Sequence, residues 1–533
     1  MKPFLKMCVL VFGTQVGLYA QYDTTEPSAP DNWFNLDQAQ DGFLGVSTEK
    51  AYKELLANKK SKKTIVVAVL DSGVEPDHED LKDRMWVNPK EIPNNGIDDD
   101  KNGYVDDING WNFIGGKTEE VNHDTYELTR AYKALNTNPK RTAREELYFK
   151  ALKELFDANT SQLKEQLDKI TNFKKSVELI KAAFPNQEEI AYGDVLQFQP
   201  KTTADTLAKI KIGGNMANGY SFKSLEKYAE KSFQSIKEQL DYGYNEGFEP
   251  RKVVGDEYKN LKNRTYGNNR VEGPDAMHGT HVAGIIAANR ENKIGMKGVA
   301  ADVKIMSVRI VPNGDERDKD IANGIYYAVD NGAQIINMSF GKGISPEKNY
   351  IDAAVKYAEK KGVLLVHAAG NSGENIDSTE NYPCAGFGDC AAAKRATNWV
   401  CVGASSWNEE DLVAEFSNYG QGNVDLFAPG VGIYSTVPDN GYEPSDGTSM
   451  AAPVVSGVAA LVWSYYPELT YKQLKEVLLK SAVRNDQPVI VPGSDPQAPT
   501  AVPFSVLSRT GGVVNAYEAL QLAEKMVSKL SQK

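Results

Sequence analysis

Histidine is scarce in this chain, with five in 533 residues. They are His78, His123, His278, His281 and His367, and so few make the position of each informative. Cysteine is scarcer still, at four, and no pair has the spacing of a zinc site or a redox motif. No uninterrupted apolar run reaches the roughly twenty residues that a bilayer-spanning helix needs, which argues against stable membrane insertion. Positive charge is in deficit: 60 Lys and Arg against 72 Asp and Glu leave a net charge of −12. That balance argues against a nonspecific partner such as nucleic acid or an anionic membrane surface. A hydrophobic share of 41% with 25% charged residues is that of an ordinary globular chain, so wholesale disorder is excluded. The length accommodates about three to four average domains, or one large domain with insertions.

Residues 1–20 read as an export signal rather than as structure. Lys2 and Lys6 give positive charge, 9–18 is mostly apolar, and Ala20 is a small residue suited to cleavage. Bulky Leu18 leaves the cleaved bond open, and Cys8 lies too near the start of the apolar stretch to be a lipid-modified cysteine. The expected location is secreted or periplasmic. Cys384, Cys390 and Cys401 remain after the signal is removed. Cys401 lies in the apolar run 399–403 and reads as a buried thiol. Cys384 and Cys390 flank a Gly-containing loop, and in an exported protein they are either a short disulfide or two unlinked thiols.

A recurring unit begins at residue 64. Runs rich in Val and Ile at 64–70, 303–310, 334–338, 363–369 and 399–402 lack in-and-out alternation, as strands buried on both faces do. Helical patterns at 278–289, 319–331 and 349–361 lie between them. The alternation predicts an α/β fold, a doubly wound, mostly parallel sheet with helices on both faces. Ligands of such sheets bind beyond the carboxyl ends of the strands. Residues 116–270 break the rhythm and are dense in Lys and Glu. Leu163, Leu167, Ile170, Phe173, Val177, Ile180 and Phe184 form one helical seam, ended by Pro185, and Leu225, Ala229, Phe233, Ile236 and Leu240 a second. The chain reads as one domain over 33–533, interrupted by an α-helical insertion at 116–270. Further helices are expected at 449–463, 471–481 and 514–530, with a Pro-rich loop at 488–503.

Asp71 directly follows the first apolar run, where a half-buried carboxylate is costly unless something pairs with it. His278 opens a helix in His278-Gly279-Thr280-His281-Val282-Ala283-Gly284. Ser449 opens another in Gly447-Thr448-Ser449-Met450-Ala451-Ala452-Pro453, with Pro453 expected in the first turn. All three side chains are thus expected at one edge of the sheet. A serine hydroxyl becomes a competent nucleophile when a base takes its proton, and imidazole suits that task near neutral pH. A buried carboxylate fixes the ring's tautomer and stabilises the imidazolium. Taken singly, Ser449 reads as an N-cap, His278 as a core histidine and Asp71 as a turn residue. In the order Asp, His, Ser, the set points to nucleophilic catalysis.

That order resembles the subtilisin-like serine peptidases, the subtilase family, whose words Asp-Ser-Gly, His-Gly-Thr-His-Val-Ala-Gly and Gly-Thr-Ser-Met-Ala-Ala-Pro stand intact here. The resemblance covers residues 33–115 and 271–520. It implies a subtilisin-like fold and a serine endopeptidase acting on polypeptide substrates, with Asp71, His278 and Ser449 as triad and His281 structural. It implies that Asn371 stabilises the oxyanion with the backbone N–H of Ser449. Ser339, Phe340 and Gly341, with Ala369 and Gly370, match segments that hold an extended substrate by backbone pairing. Gln40, Asp80 and Asn292 match the side-chain positions of a calcium site common in the family, and oxygen ligands from distant segments suit calcium. The Cys384–Cys390 loop follows Tyr382-Pro383 in the region that walls the pocket for the residue before the scissile bond. No organic cofactor is implied.

Asp98, Asp100, Asn102 and Asp106 fall at ligand positions of an EF-hand loop, with Gly103 at its turn. Asn109 stands where the bidentate Glu belongs, so the segment is either an incomplete calcium site or a solvated acidic turn. Two other function classes fit less well. A binding module with vestigial hydrolysis would have lost a triad member or the oxyanion donor, and none is lost. An esterase or lipase favours a Gly-x-Ser-x-Gly elbow, which Gly447-Thr448-Ser449-Met450-Ala451 is not. The insertion sets the chain apart, for Asp71 and His278 are 207 positions apart, where compact subtilases keep that gap short. Residues 33–59 already resemble the start of a mature domain, which leaves no room for a prodomain after Ala20. The insertion is expected to be a flap beside the cleft, a folding assistant in the prodomain's place, or a solvated spacer.

Overall fold

A computed structural model describes residues 29–530, so the export signal expected at 1–20, and Cys8 within it, lie outside the described residues. The chain forms two compact units, one spanning Leu128–Phe248 and the other Ala29–Glu127 with Glu249–Lys533. The larger unit is built on strands β1 (Ile65–Asp71), β2 (Gly110–Asn112), β3 (Val303–Arg309), β4 (Ile335–Met338), β5 (Leu364–Ala368), β6 (Trp399–Ser405) and β7 (Leu426–Pro429). After the hairpin of β8 (Ile433–Val437) and β9 (Gly441–Ser445) come β10 (Val483–Arg484), β11 (Pro488–Ile490), β12 (Ala501–Pro503) and β13 (Gly512–Val513). Nine strands join one sheet in the order β10-β13-β7-β6-β5-β4-β1-β3-β2. Its neighbours pair in parallel except β10 with β13.

Successive side chains of the central strands enter two different cores, and that is why their sequences run apolar without alternation. Ile65, Val67 and Val69 of β1 join Val282, Ile285 and Ile286 of the Met277–Ala287 helix and Val454, Val455 and Val458 of the Thr448–Tyr465 helix on one face. Ala68 and Leu70 join Ile321 and Ile325 of the Asp318–Asp330 helix and Ile351 and Val355 of the Lys348–Lys361 helix on the other. The doubly wound α/β sheet with helices on both faces is therefore present. The Thr448–Tyr465 helix has the length and apolarity to cross a bilayer, yet it is the core helix under β4, β5 and β6.

Two expectations need correction here, and some short strands went unmarked. The stretch 488–503 carries an antiparallel pair, β11 with β12, rather than a plain loop, because its prolines sit at the outer ends of a two-stranded edge where no ladder donor is needed. Strands β2, β7, β10 and β13 escape periodicity because each has only two to four residues. Pro453 lies in the second turn of its helix, not the first. Lacking an N–H, it leaves the carbonyl of Ser449, four residues back, without its helical donor, and the Ser339 hydroxyl donates to that carbonyl instead at 2.8 Å.

The helical unit has a core of its own. Ile170, Phe173, Val177 and Ile180 of the 41-residue helix Ala143–Ala183 pack on Ile212 and Met216 of Thr203–Ala217 and on Leu225 and Ala229 of Phe222–Glu238. A capping box at Thr142 and Glu145 starts the long helix, and Pro185 follows its end. Its limits are narrower than 116–270. Both flanks belong to the sheet unit, held by polar contacts that a hydrophobic pattern does not reveal. Arg317 takes Asp124 through two bonds of 2.6 and 2.8 Å, while Arg251 and the Tyr266 hydroxyl both reach Asp320 at 2.5 Å.

Candidate active site

Asp71 ends β1, whose neighbours are β3 and β4, so its side chain emerges at the carboxyl edge of the sheet. His278 is the second residue of the Met277–Ala287 helix and meets it there, with Nδ1 at 2.7 Å from Asp71 Oδ1. The same carboxylate oxygen accepts the Ser72 N–H at 2.7 Å, whereas Oδ2 is buried without a partner among the described residues. Burial alone would pull the His278 imidazolium down, and the charge and hydrogen bond of Asp71 more than offset it, so its pKa is raised. Nε2 is thereby the nitrogen left for a substrate or nucleophile. His281, one turn on, points elsewhere. Its Nε2 lies 3.0 Å from the Glu443 carbonyl, and burial pushes its pKa down to about 4, so it is neutral and structural. Buried Arg309 closes this corner, donating to the Ser72 carbonyl at 2.8 Å and the Val121 carbonyl at 2.6 Å.

Ser449 opens the Thr448–Tyr465 helix, and its hydroxyl donates to the Ser339 carbonyl at 3.1 Å rather than to His278. Ser339 follows β4, and its own hydroxyl takes a hydrogen bond from Asn337 at 3.0 Å while donating to Ser449 O. Asn371 lies three residues past β5. Its Oδ1 accepts both the Thr448 N–H at 2.9 Å and the Thr448 hydroxyl at 2.8 Å. A backbone N–H can only donate, so the oxygen must face Thr448 and Nδ2 must face away. Neither Asn371 Nδ2 nor the backbone N–H of Ser449 has a partner among the described residues. A β-carbon on Gly447 would stand 3.4 Å from Asn371 Nδ2 and 3.5 Å from Ser449 N, so the two donors converge on one spot. Glycine at φ 151° keeps that spot open. Two N–H groups whose nitrogens lie near one point beside a serine hydroxyl can stabilise a developing negative charge there.

The segments expected to hold substrate follow β4 and β5. Gly341 leaves its backbone N–H and carbonyl unpaired among the described residues, as an edge open to a further strand does. The Phe340 carbonyl is taken by His367 Nε2 at 2.9 Å, and burial holds His367 down at about 4. The Ala369 carbonyl accepts Asn381 and Asn418, and the Gly370 N–H donates to the Thr448 hydroxyl at 3.0 Å. Thr448, Asn381 and Asn418 went unmarked in the sequence. Only Thr448 carried a signal, as the neighbour of the candidate nucleophile. Cys384 and Cys390 form a disulfide with Cα atoms 5.6 Å apart, and Cys401 is a free buried thiol.

The two expected calcium sets fare differently. Asp80 and Asn292 come together, but through an Asn292 Nδ2 to Asp80 Oδ1 bond of 2.7 Å. Asp80 also accepts the N–H groups of Asn289 and Met296. Gln40 is exposed and donates to Glu54 at 2.8 Å. Asp80 and Asn292 are thus brought together, whereas Gln40 stands apart from them. In the acidic loop, Asp98 and Asp100 converge with Glu91, and oxygens of the three lie within 4.8 Å of one another. Backbone N–H groups donate to these carboxylates too, those of Asp99, Asp100 and Asp106 to Glu91, of Asn102 and Gly103 to Asp98, and of Asn102 to Asp100, and the cluster of three acids has the oxygen chemistry of a hard-cation site. Asn102 instead caps Tyr104 N–H, and Asp106 accepts the N–H groups of Asn95 and Gly96. Glu91, seven residues upstream of Asp98, was missed because an EF-hand pattern looks only downstream.

The family model described as Subtilase family matches residues 62–501. Alkaline elastase YaB of Bacillus sp. (strain YaB) is 41% identical over 206 residues, 38% of this chain and 50% of that protein. Thermitase of Thermoactinomyces vulgaris is 40% identical over 188 residues, 35% of this chain and 61% of that protein. Subtilisin DY of Bacillus licheniformis is 38% identical over 209 residues, 38% of this chain and 70% of that protein. The chain thus spans about half the length of the curated relatives it matches first.

Proposed function

The chain belongs to the subtilase family, and from that premise we propose that it is an exported serine endopeptidase that cleaves polypeptides through an acyl-enzyme on Ser449. The observation that carries this reading is the convergence of Asn371 Nδ2 and Ser449 N beside the nucleophile. The Ser449 hydroxyl turns about χ1 from the Ser339 carbonyl to His278 Nε2 as substrate arrives, since catalytic hydrogen bonds are often loose in the free enzyme. His278 takes the proton, Oγ attacks the scissile carbonyl, and Asp71 holds the imidazolium through Nδ1. The oxyanion then receives the two free N–H groups. His278 returns its proton to the leaving amine, and water attacks the acyl-enzyme by the same route in reverse.

Thr448 acts as a positioning residue, because its N–H and hydroxyl both hold the Asn371 oxygen and so aim Nδ2. The extended substrate pairs with Gly341 in the manner of an added strand. We also assign a calcium ion to the Glu91, Asp98 and Asp100 carboxylates, where it would offset their mutual repulsion and stiffen the loop. The export signal at 1–20 completes the proposal, with cleavage near Ala20 checked by N-terminal sequencing of the mature protein.

Labelling by a fluorophosphonate probe, located by mass spectrometry, tests the central claim. Modification of Ser449 with hydrolysis of an unfolded protein substrate is the expected result. No labelling of the folded protein, or undiminished hydrolysis by Ser449→Ala, would overturn it.

A further inference from the structure

Asn371 carries its Nδ2 on a stretch of chain with no backbone hydrogen bond of its own. Neither its N–H nor its carbonyl has a partner among the described residues. Thr448 holds the side-chain oxygen, but the backbone beneath that side chain is placed only through its chain neighbours.

One residue holds those neighbours. Asn418 is 4% exposed, and its N–H donates to the Gly370 carbonyl at 2.9 Å. Its Oδ1 accepts the Ser372 N–H at 3.1 Å, so the two bonds bracket Asn371, one residue before it and one after. The same oxygen accepts the Glu374 N–H at 2.9 Å, while Nδ2 donates to the Ala369 carbonyl at 2.9 Å. Two N–H groups on the oxygen and a carbonyl on the nitrogen fix which way the carboxamide faces. Gly370 leaves room for it, since a β-carbon there would stand 2.4 Å from Asn418 Nδ2. The clamp is tied back to the sheet as well. The Ser417 hydroxyl donates to the Asn418 carbonyl at 2.9 Å and accepts the Ala404 N–H of β6 at 2.9 Å. On the outer side the turn after β11 lies against the loop, where a β-carbon on Gly493 would stand 2.5 Å from the Gly373 carbonyl oxygen. No hydrogen bond joins that turn to residues 369–374 among the described residues, so the polar hold comes from Asn418 and its flanks.

Resting on the peptidase reading above, we propose that Asn418 is a positioning residue for oxyanion stabilisation, setting the Asn371 backbone and thereby the reach of Asn371 Nδ2 to the developing charge. Asn418 is bonded to none of Asp71, His278 and Ser449, so it acts through Asn371. Removing its carboxamide loosens the loop on one side only. The backbone bond to Gly370 survives in Asn418→Ala, and the Ala369 carbonyl keeps the Asn381 donor at 2.8 Å. What is lost is the acceptor of the Ser372 and Glu374 N–H groups. Ser372 is exposed and Glu374 half-buried, so water takes over those donors and the loop loosens without unfolding. A donor displaced by about 1 Å from the oxyanion costs on the order of 10² in rate.

The test is kcat and KM on one peptide substrate for wild type, Asn418→Ala, Asn371→Ala and the double variant. Asn418→Ala should lower kcat about tenfold or more with KM little changed, a smaller loss than that of Asn371→Ala. In the Asn371→Ala background the same substitution should cost less than about twofold, because the donor it positions is gone. A merely structural role would lower activity equally in both backgrounds. An unchanged kcat in folded Asn418→Ala overturns the proposal, and so does a loss that persists undiminished without the Asn371 carboxamide. Should the Ala variant not fold, Asn418→Ser keeps a small polar group in the site and is judged by the same two criteria, since its side chain is too short to span from the Ser372 N–H to the Ala369 carbonyl. These failures leave the peptidase reading intact, because that reading falls only if Ser449 resists the probe and no peptide is cut.

Discussion

The Asp71, His278, Ser449 and Asn371 corner and the Gln40–Asp80–Asn292 set were both read from short words scattered along the chain, and the structure gathers the first at one edge of the sheet and only part of the second. Asp71, His278, Ser449 and Asn371 each sit at, or within three residues of, the end of a long strand or helix. Parallel pairing lines those ends up at one edge, so the elements themselves deliver the side chains to one place. Gln40, Asp80 and Asn292 lie on a four-residue helix and two loops. There the nearest backbone donors decide what a carboxylate holds, and Asp80 is filled by N–H groups. A motif on regular structure predicts a constellation, while a motif on loops predicts only its residues.

The largest expected effect would break the comparison at its stronger half. Ser449→Ala and His278→Ala should each lower kcat by several orders of magnitude in a peptide assay, because a triad acts as a unit. Asn371→Ala comes next, at roughly 10²–10³ in kcat with KM little changed, since it meets charge only in the transition state. Thr448→Val, which removes one of the two anchors of the Asn371 oxygen, should cost about tenfold in kcat, and an unchanged value would mean that the anchor does not aim Nδ2.

Effects on stability are smaller. His281 and His367 are buried neutral at about 4, against about 6.5 in the unfolded chain. The native state therefore binds fewer protons, and stability is fully present above about pH 6.5 and is lost as pH falls toward 4. Each histidine contributes up to about 3 kcal/mol, read as a falling urea midpoint across that window, and a flat midpoint would count against neutral burial. His278 has the opposite sign through its partner Asp71, adding stability below about pH 6.5 that fades as pH rises through its raised value.

The weaker half is sharpened by calcium. Asp80→Ala should cost about 2–3 kcal/mol, because it strands the N–H donors of Asn289, Asn292 and Met296. Chelator should lower the melting temperature of the wild type, and Glu91→Gln should abolish that sensitivity. The reverse pattern would restore the Asp80 set. The smallest effect concerns the two units, whose cores share no residue. Replacing 128–248 by a short Gly/Ser linker should leave Ser449 as reactive toward the probe as before. Aggregation rescued by the separate helical segment would instead make it a folding assistant.

The doubly wound sheet was legible because strands buried on both faces read as unbroken Val and Ile runs, as 64–70 and 399–402 do. The places of Asp71, His278 and Ser449 were legible because their three words open or close such elements. The long helical seam was legible for the same reason, in that local periodicity records which face is covered. Tertiary structure alone decided the rest. It supplied Arg317–Asp124 and Arg251–Asp320, which draw the flanks of the insertion back to the sheet unit, and it brought Glu91 to Asp98 and Asp100. It fixed the Asn371 oxygen on Thr448, gave Ser339 to the carbonyl that Pro453 leaves bare, and held Asn381 on the Ala369 carbonyl. Apart from the Glu91 cluster, each of these rests on a hydrogen bond or ion pair between separate segments. Polar contacts have no period along the chain, and their partners are fixed only when apolar burial has put the elements in register.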